Sequence, residues 1–418
     1  VRAPLLRPGP TDDAFTYLRD AAVLTTPSGI IDFIGPFSSR PTSDESTYAR
    51  TGLLIPPLLD CHIHIPQHPI RGHFLDGTTG HEPGGPLLAG LARNVFPTEM
   101  RCADDLYTRQ VVAEFLRETR DKGTHGGVAF MTAHPAAARI ALEHLPPTWR
   151  VGLVLMDQLC PDALKLNLDT ARAAMTSLAQ DFGQRFVVTD RFAVACSTPL
   201  RSAGAAVASQ FHLDTQTHLA EQPGELETIR RLYPDAPTYA HVYERDGLLS
   251  SGSGAILAHC IHMSPPEWEL LAKHGSRVAH CPVSNTELRS GTMPLHHLYA
   301  HDIDYALCTD VGASPTTSLL CEMTHFLAVH ANTPGARHAT PSTALWRATL
   351  GARRVGKIQI GGLAQAHPFA ATEIRWTPSS TETLTPDDVI RSALLADPAL
   401  PPTKIAAQVA DRCIRLWP

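Results

Sequence analysis

Residues 58–67 read Leu-Leu-Asp-Cys-His-Ile-His-Ile-Pro-Gln. Leu58 and Leu59 suit a buried strand, and His62 and His64, two residues apart at its end, then share one face. Two imidazoles on a rigid strand are half of a metal site. The remaining half can be sought at the ends of later apolar runs, where His218 precedes Glu221 by three residues, His259 closes another run, and Thr309-Asp310 closes a last one. Three or four His and one carboxylate suit Zn²⁺ or Fe²⁺ better than Mg²⁺ or Ca²⁺, which prefer oxygen ligands. Such an ion can keep a position open for water and lower its pKa toward neutrality. Asp310 can take that water's proton while bound to or beside the metal, and Glu221 can pass a proton to a substrate. His259 reads either as a further ligand or as a hydrogen-bond partner of the attacking water. Cys61, Cys260 and Cys281 adjoin these positions and read as inward or flanking thiols. Alone, each His would be a satisfied core residue, Asp310 a helix cap and Glu221 a helix-start acid. Their joint placement carries the metal reading.

The elements that must position these groups are eight short apolar runs, at residues 58–64, 126–131, 151–156, 186–189, 215–219, 255–259, 277–281 and 305–309. Each is followed by a helical pattern, which argues for parallel pairing through right-handed crossovers and an α/β (β/α)8 TIM barrel. Polar residues at the carboxyl ends of such strands face a common mouth. Helices are expected over 104–120, 169–180, 223–232 and 265–274, the last with a Ser264/Glu267 capping box and Gly275 as its stop. Residues 72–86, with five Gly and two Pro, read as a mobile loop overhanging the site. Near the start, residues 23–24 and 30–34 flank Pro27-Ser28-Gly29 and read as a hairpin. A hairpin needs partners, and residues 369–376 are the expected donor. The domain reading is therefore residues 54–358 as the barrel, with 1–53 and 359–418 combining into a small β-sandwich-like domain.

The 418-residue chain is 43% hydrophobic and 18% charged, enough for a large core. A net charge of −6 gives no pull toward nucleic acid or an anionic membrane. No apolar run approaches a spanning helix and no basic-then-apolar leader opens the sequence, so a cytoplasmic location is expected. The nine Cys lack Cys-x-x-Cys spacing, a poor disulfide framework.

These residues resemble the amidohydrolase superfamily over about 54–356, and within it the guanine deaminase family. The resemblance rests on Asp60-Cys-His-Ile-His-Ile-Pro-Gln67, Phe96-Pro-Thr-Glu99, Asp190-Arg-Phe192, Thr217-His-Leu-Ala-Glu221, Ala279-His-Cys-Pro-Val-Ser-Asn285 and Thr309-Asp-Val-Gly312. It rests most selectively on Leu232-Tyr-Pro234 with Val242-Tyr243 and Gly247-Leu-Leu249, which lie outside the shared metal motif. The resemblance implies a distorted barrel, zinc on His62, His64, His218 and Asp310, and a homodimer acting on a small molecule. It also implies that Gln67, Arg191 and Phe192, with His218 and Glu221, receive a purine for hydrolytic deamination. The fourth strand ends in Thr189-Asp190-Arg191 without the lysine of binuclear relatives, implying a mononuclear centre. On residue chemistry alone, Arg191 could instead pair with Asp190 or another carboxylate, Gln67 could be a loop residue and Phe192 could be core. Departures from the family pattern include Gly90 where a Trp is usual, Asp190 where a Pro is usual, Gly123-Thr-His-Gly126, and Gly362-Leu-Ala-Gln-Ala-His-Pro368 in the tail. Those near the pocket would widen it or change the preferred base. The alternatives are another heterocycle, such as a pterin, an oxidised purine or a triazine, or a zinc-binding barrel without catalysis.

Overall fold

The structure, a computed structural model, describes all residues except 42–47, 83, 251, 253, 378–382 and 418. Pro83, part of the loop expected over 72–86, thus lies outside the described residues. Among the described residues nine parallel strands form two sheets. The first holds β5 (Leu58–His64), β6 (Thr124–Phe130) and β7 (Trp149–Gly152). The second holds β8 (Val154–Leu155), β9 (Val188–Asp190), β10 (Thr215–Leu219), β11 (Ala255–His259), β12 (Arg277–His280) and β13 (Tyr305–Leu307), paired in sequence order. Hydrogen bonds cross both seams between the sheets. Val187 N–H donates to the Val151 carbonyl at 3.1 Å, Asp310 N–H to His62 at 2.9 Å, and His64 N–H to Val311 at 2.9 Å.

The expected strand over 151–156 is broken into β7 and β8. β7 pairs with β6 and β8 with β9, and Thr189 of β9 comes so close to Gly152 that a Cβ there would collide with its hydroxyl. Leu59, Cys61, Val128, Val187, Ile256, Ala258, Ala279 and Ala306 form a buried cluster among the strands. This packed interior is what keeps the strand ends rigid.

A separate six-stranded sheet draws on both ends of the chain. It contains β1 (Arg2–Pro8), β2 (Phe15–Thr25), β3 (Ile31–Pro36), β4 (Leu53–Ile55), β14 (Ala371–Ile374) and β15 (Cys413–Trp417). The expected hairpin is present, with Val23 opposite Ile34 and Leu24 opposite Phe33. Its strand partner is β1; the expected donor meets the hairpin at its turn, where Phe369 N–H donates to the Gly29 carbonyl at 2.9 Å, and joins the sheet through β14, which pairs to β4 and β4 to β1. Leu5, Ile31, Leu54 and Ala371 are buried together and tie these strands into one face.

The helices lie within two residues of expectation, at Asp105–Asp121, Leu168–Phe182, Pro223–Leu232 and Pro265–Lys273. Ser264 and Glu267 complete the capping box, satisfying backbone donors that the first turn leaves open.

Candidate active site

The carboxyl ends of β5, β10 and β13 bring His62, His64, His218 and Asp310 together, each offering a ligand atom within 4.8 Å of all the others. Asp310 Oδ1 lies 3.2 Å from His62 Nε2 and 3.1 Å from His64 Nε2, while His218 Nε2 lies 3.3 Å from His64 Nε2. His218 Nδ1 is 2.7 Å from the Arg191 carbonyl, which can only accept. The Nδ1 atom therefore carries the proton, leaving the Nε2 lone pair free to face the cluster. Burial lowers the pKa of His62 and carries His218 well below the ordinary histidine value, and it pushes His64 down to about 3. Burial opposes ionisation of Asp310, but hydrogen bonding from His62 and His64 holds its carboxyl well below the usual range. Neutral imidazoles crowded lone pair to lone pair around a carboxylate are a donor set that fits a transition-metal cation. The Phe130 ring, at 4.9, 4.7 and 4.9 Å from His62, His64 and His218, packs the imidazoles in place.

The turns that follow these strands are conformationally costly. Ala220, His259, Cys260 and Asp310 have φ of +53°, +69°, +51° and +52°, a left-handed region sparsely used by non-glycine residues. Each turns the chain sharply at a strand end.

His259 stands outside the four-residue group. Its Nδ1 is 2.8 Å from Asn285 Oδ1, and its Nε2 lies 3.6 Å from Glu221 Oε2 and 3.9 Å from Asp310 Oδ2. It borders the ligands and carboxylates without joining the cluster. Cys61, Cys260 and Cys281 are buried and aim their thiols at the carbonyls of Ala352, Leu257 and Ala279.

A cavity opens beside the cluster, lined by His64, Gln67, Arg191, Phe192, His218, Glu221 and Asp310 on its polar side. Phe74, Leu87, Leu91 and Leu288 supply the apolar lining. The structure thus gathers every expected substrate residue around one space. Arg191 does not pair with Asp190. Its Nη1 donates to Glu99 Oε1 at 2.6 Å, and Gln67 Nε2 donates to the same oxygen at 3.1 Å. Asp190 accepts instead from the Thr217 hydroxyl at 3.0 Å. Burial, and secondarily the Asp310 charge, push Glu221 up to about 8. The Ser290 hydroxyl donates to Glu221 Oε1 at 2.9 Å and partly offsets that rise.

The sequence pattern places Phe96-Pro-Thr-Glu99 in the family motif but assigns Glu99 no role, and it does not single out Phe130, Ser290 or Phe74. Glu99 had a usable signal, since a carboxylate in an apolar helix-start stretch needs a buried partner. Ser284 and Asn285 lay inside a quoted motif. The Ser284 hydroxyl donates to Asp310 Oδ2 at 2.5 Å, and Asn285 holds His259.

A profile described as the amidohydrolase family matches residues 53–367. The chain belongs to the amidohydrolase family. It is 32% identical over 284 residues to the guanine deaminase of Escherichia coli K12, spanning 65% of this chain and 61% of that one. It is 32% identical over 389 residues to a probable guanine deaminase of Deinococcus radiodurans, spanning 88% and 86% of the two chains. In structure it is similar to a guanine deaminase of C. acetobutylicum with guanine bound in the active site, at a TM-score of 0.80 and 25% identity over 89% of this chain and 90% of that one. Amidohydrolases are metal-dependent, and the buried cluster is where this amidohydrolase can hold an ion. Among the described residues no helix is long and apolar enough to cross a membrane.

Proposed function

We propose that this amidohydrolase hydrolyses guanine to xanthine and ammonia, with one Zn²⁺ held by His62, His64, His218 and Asp310. The observation that carries the reading is the cavity itself. It is bordered both by His64, His218 and Asp310 of the metal cluster, with Glu221, and by the Gln67 and Arg191 donor pair. The guanine deaminases among its relatives support the choice of base. When bound, the ion supplies Lewis-acid activation of water. Guanine presents a carbonyl and ring nitrogens, and Arg191 with the Gln67 amide can donate to them while Phe192 offers an apolar face or a backbone group. Glu221, raised toward neutrality by burial, can give a proton to a ring nitrogen and regain one in the same cycle. Asp310 and His259, whose carboxylate and imidazole lie 3.9 Å apart beside Glu221, can accept a proton from the water and pass it to the departing ammonia. Water in, ammonia and xanthine out, the atoms balance without a further reactant.

The same reading takes the two parallel sheets as one distorted (β/α)8 barrel of residues 54–358, supported by hydrogen bonding at both seams. It takes the six-stranded sheet as a small β-domain of residues 1–53 and 359–418, with β4 at the boundary, and the protein as a cytoplasmic homodimer. Glu221→Gln tests the chemistry. The variant should retain zinc and release ammonia from guanine at least ~100-fold more slowly, the scale of a lost general acid–base. Near-normal turnover removes Glu221 from the mechanism, and a wild-type protein inactive on guanine removes the substrate.

A further inference from the structure

Gly90 closes the short helix Gly85–Gly90, with an ordinary helical φ of −63° and ψ of −41°. The backbone therefore does not require glycine there, and glycine is a poor helix former. What requires it is a neighbour. A Cβ on residue 90 would stand 2.5 Å from Cδ1 and Cε1 of Phe74 and 2.8 Å from the Phe74 carbonyl oxygen. The Phe74 ring occupies the volume that any other side chain at 90 would claim.

Phe74 is also fixed from its backbone. Asn94 Nδ2 donates to the Phe74 carbonyl at 2.8 Å and to the Asp76 carbonyl at 3.0 Å. Asn94 sits in the π-helical turn Leu91–Val95 that begins immediately after Gly90, the kind of irregularity that accumulates at functional sites. Leu87 and Leu91, four residues apart on the same segment, reach the cavity beside Phe74. Phe192 borders the cavity as well, but it comes from the strand-borne side that carries Arg191. A flat heterocycle whose edge is held by Gln67 and Arg191 still exposes a π face, and an aromatic ring beside apolar leucines is the surface that suits it.

We infer that Phe74 is the aromatic wall against which the planar heterocycle stacks, and that Gly90 is the specificity-determining position that admits its ring. The ligand class rests on the function proposed above. The position of the wall rests on the packing of residues 74, 90 and 94.

The test is equilibrium binding of xanthine, pterin and melamine to the zinc-loaded protein by calorimetry, using for the variants whichever probe the wild type binds most tightly. Phe74→Ala should weaken binding on the order of tenfold, the scale of one lost stacking partner. Gly90→Ala adds a methyl group that displaces the ring, and should weaken binding comparably. The double variant F74A/G90A should bind no more weakly than Phe74→Ala, because the added methyl then has no ring to displace. Phe74→Leu keeps apolar volume without a π face, and should retain zinc and melting temperature yet still lose several-fold in affinity; it also covers the case in which Phe74→Ala fails to fold. Wild-type affinity in Gly90→Ala, losses that multiply in the double variant, or a wild type that binds none of the three probes would each overturn the inference. A wild type that binds pterin or melamine but releases no ammonia from guanine overturns the guanine reading instead, with the wall then judged on that probe.

Discussion

Glu99 Oε1 lies 2.6 Å from Arg191 Nη1, with the Glu99 side chain fully buried and that of Arg191 4% exposed. The same oxygen accepts from Gln67, so one carboxylate sets the orientation of both groups expected to grip the substrate. The arrangement fixes the Arg191 guanidinium before a ligand arrives, and a preorganised donor costs less on binding.

Glu99→Gln should therefore act on binding more than on the metal. Leaving Arg191 buried without its counter-charge lowers stability by about 3 kcal/mol, as for other broken buried pairs. The KM should rise roughly tenfold or more, the scale of one lost charge-assisted contact, with zinc content unchanged. Steady-state kinetics with metal analysis check it. An unchanged KM would mean that Arg191 keeps its pose without Glu99.

The base of the strands carries a second buried charge centre. Asp214 accepts hydrogen bonds from Arg150 Nη1 at 2.6 Å, Arg277 Nη2 at 2.7 Å and Lys357 Nζ at 2.9 Å, joining the starts of β10 and β12 to β7 and to the segment after residue 356. Burial works to raise its pKa, but Arg277 and then Arg150 hold it below the ordinary aspartate value. A carboxyl whose folded pKa is depressed stabilises the fold above its unfolded value of about 3.9, and that stability is lost as pH falls through the folded value. Asp214→Asn should cost about 3 kcal/mol or more at neutral pH and flatten the acid limb of the stability curve. Urea unfolding between about pH 3 and 7 reads both effects, and a variant with the wild-type acid limb would show that Asp214 does not drive it.

What could be read from the sequence follows from where the information lies along the chain. β10 and β11 match their apolar runs residue for residue, because short β-branched and apolar segments between helices signal themselves locally. His62, His64, His218 and Asp310 were found because each ends such a run. The role of Glu99 is not legible locally, since its partners lie 32 and 92 residues away and nothing nearby names them. β1 and β15 were missed for a related reason. Arg-Ala-Pro-Leu-Leu-Arg-Pro and Cys-Ile-Arg-Leu-Trp are weak strand signals, and they become strands by pairing to β2 and β14. The break between β7 and β8 falls where the strand changes partner from β6 to β9, again a matter of distant residues.

The last relationship joins the two halves of the site. The Tyr243 hydroxyl accepts from Ala193 N–H at 3.0 Å and donates to the His218 carbonyl at 2.8 Å, so it ties the segment carrying Arg191 and Phe192 to the strand end carrying His218 of the four-residue cluster. Thr217 Oγ1 and Tyr239 Oη adjoin the same hydroxyl at 3.1 Å, in a fully buried network. Tyr243→Phe keeps the ring and removes the hydroxyl, and with it the bridge and the contacts to Thr217 and Tyr239. It leaves the Ala193 donor and the His218 acceptor without this partner, which should cost about 1–3 kcal/mol of stability. Zinc should remain, because all four ligands are intact, whereas kcat/KM should fall about tenfold as the Arg191 segment and His218 lose their common anchor. A purely structural role would lower the melting temperature and leave kinetics at 25 °C unchanged. Loss of kcat/KM at full zinc occupancy, in a variant still folded at that temperature, is the outcome that assigns Tyr243 to positioning the site.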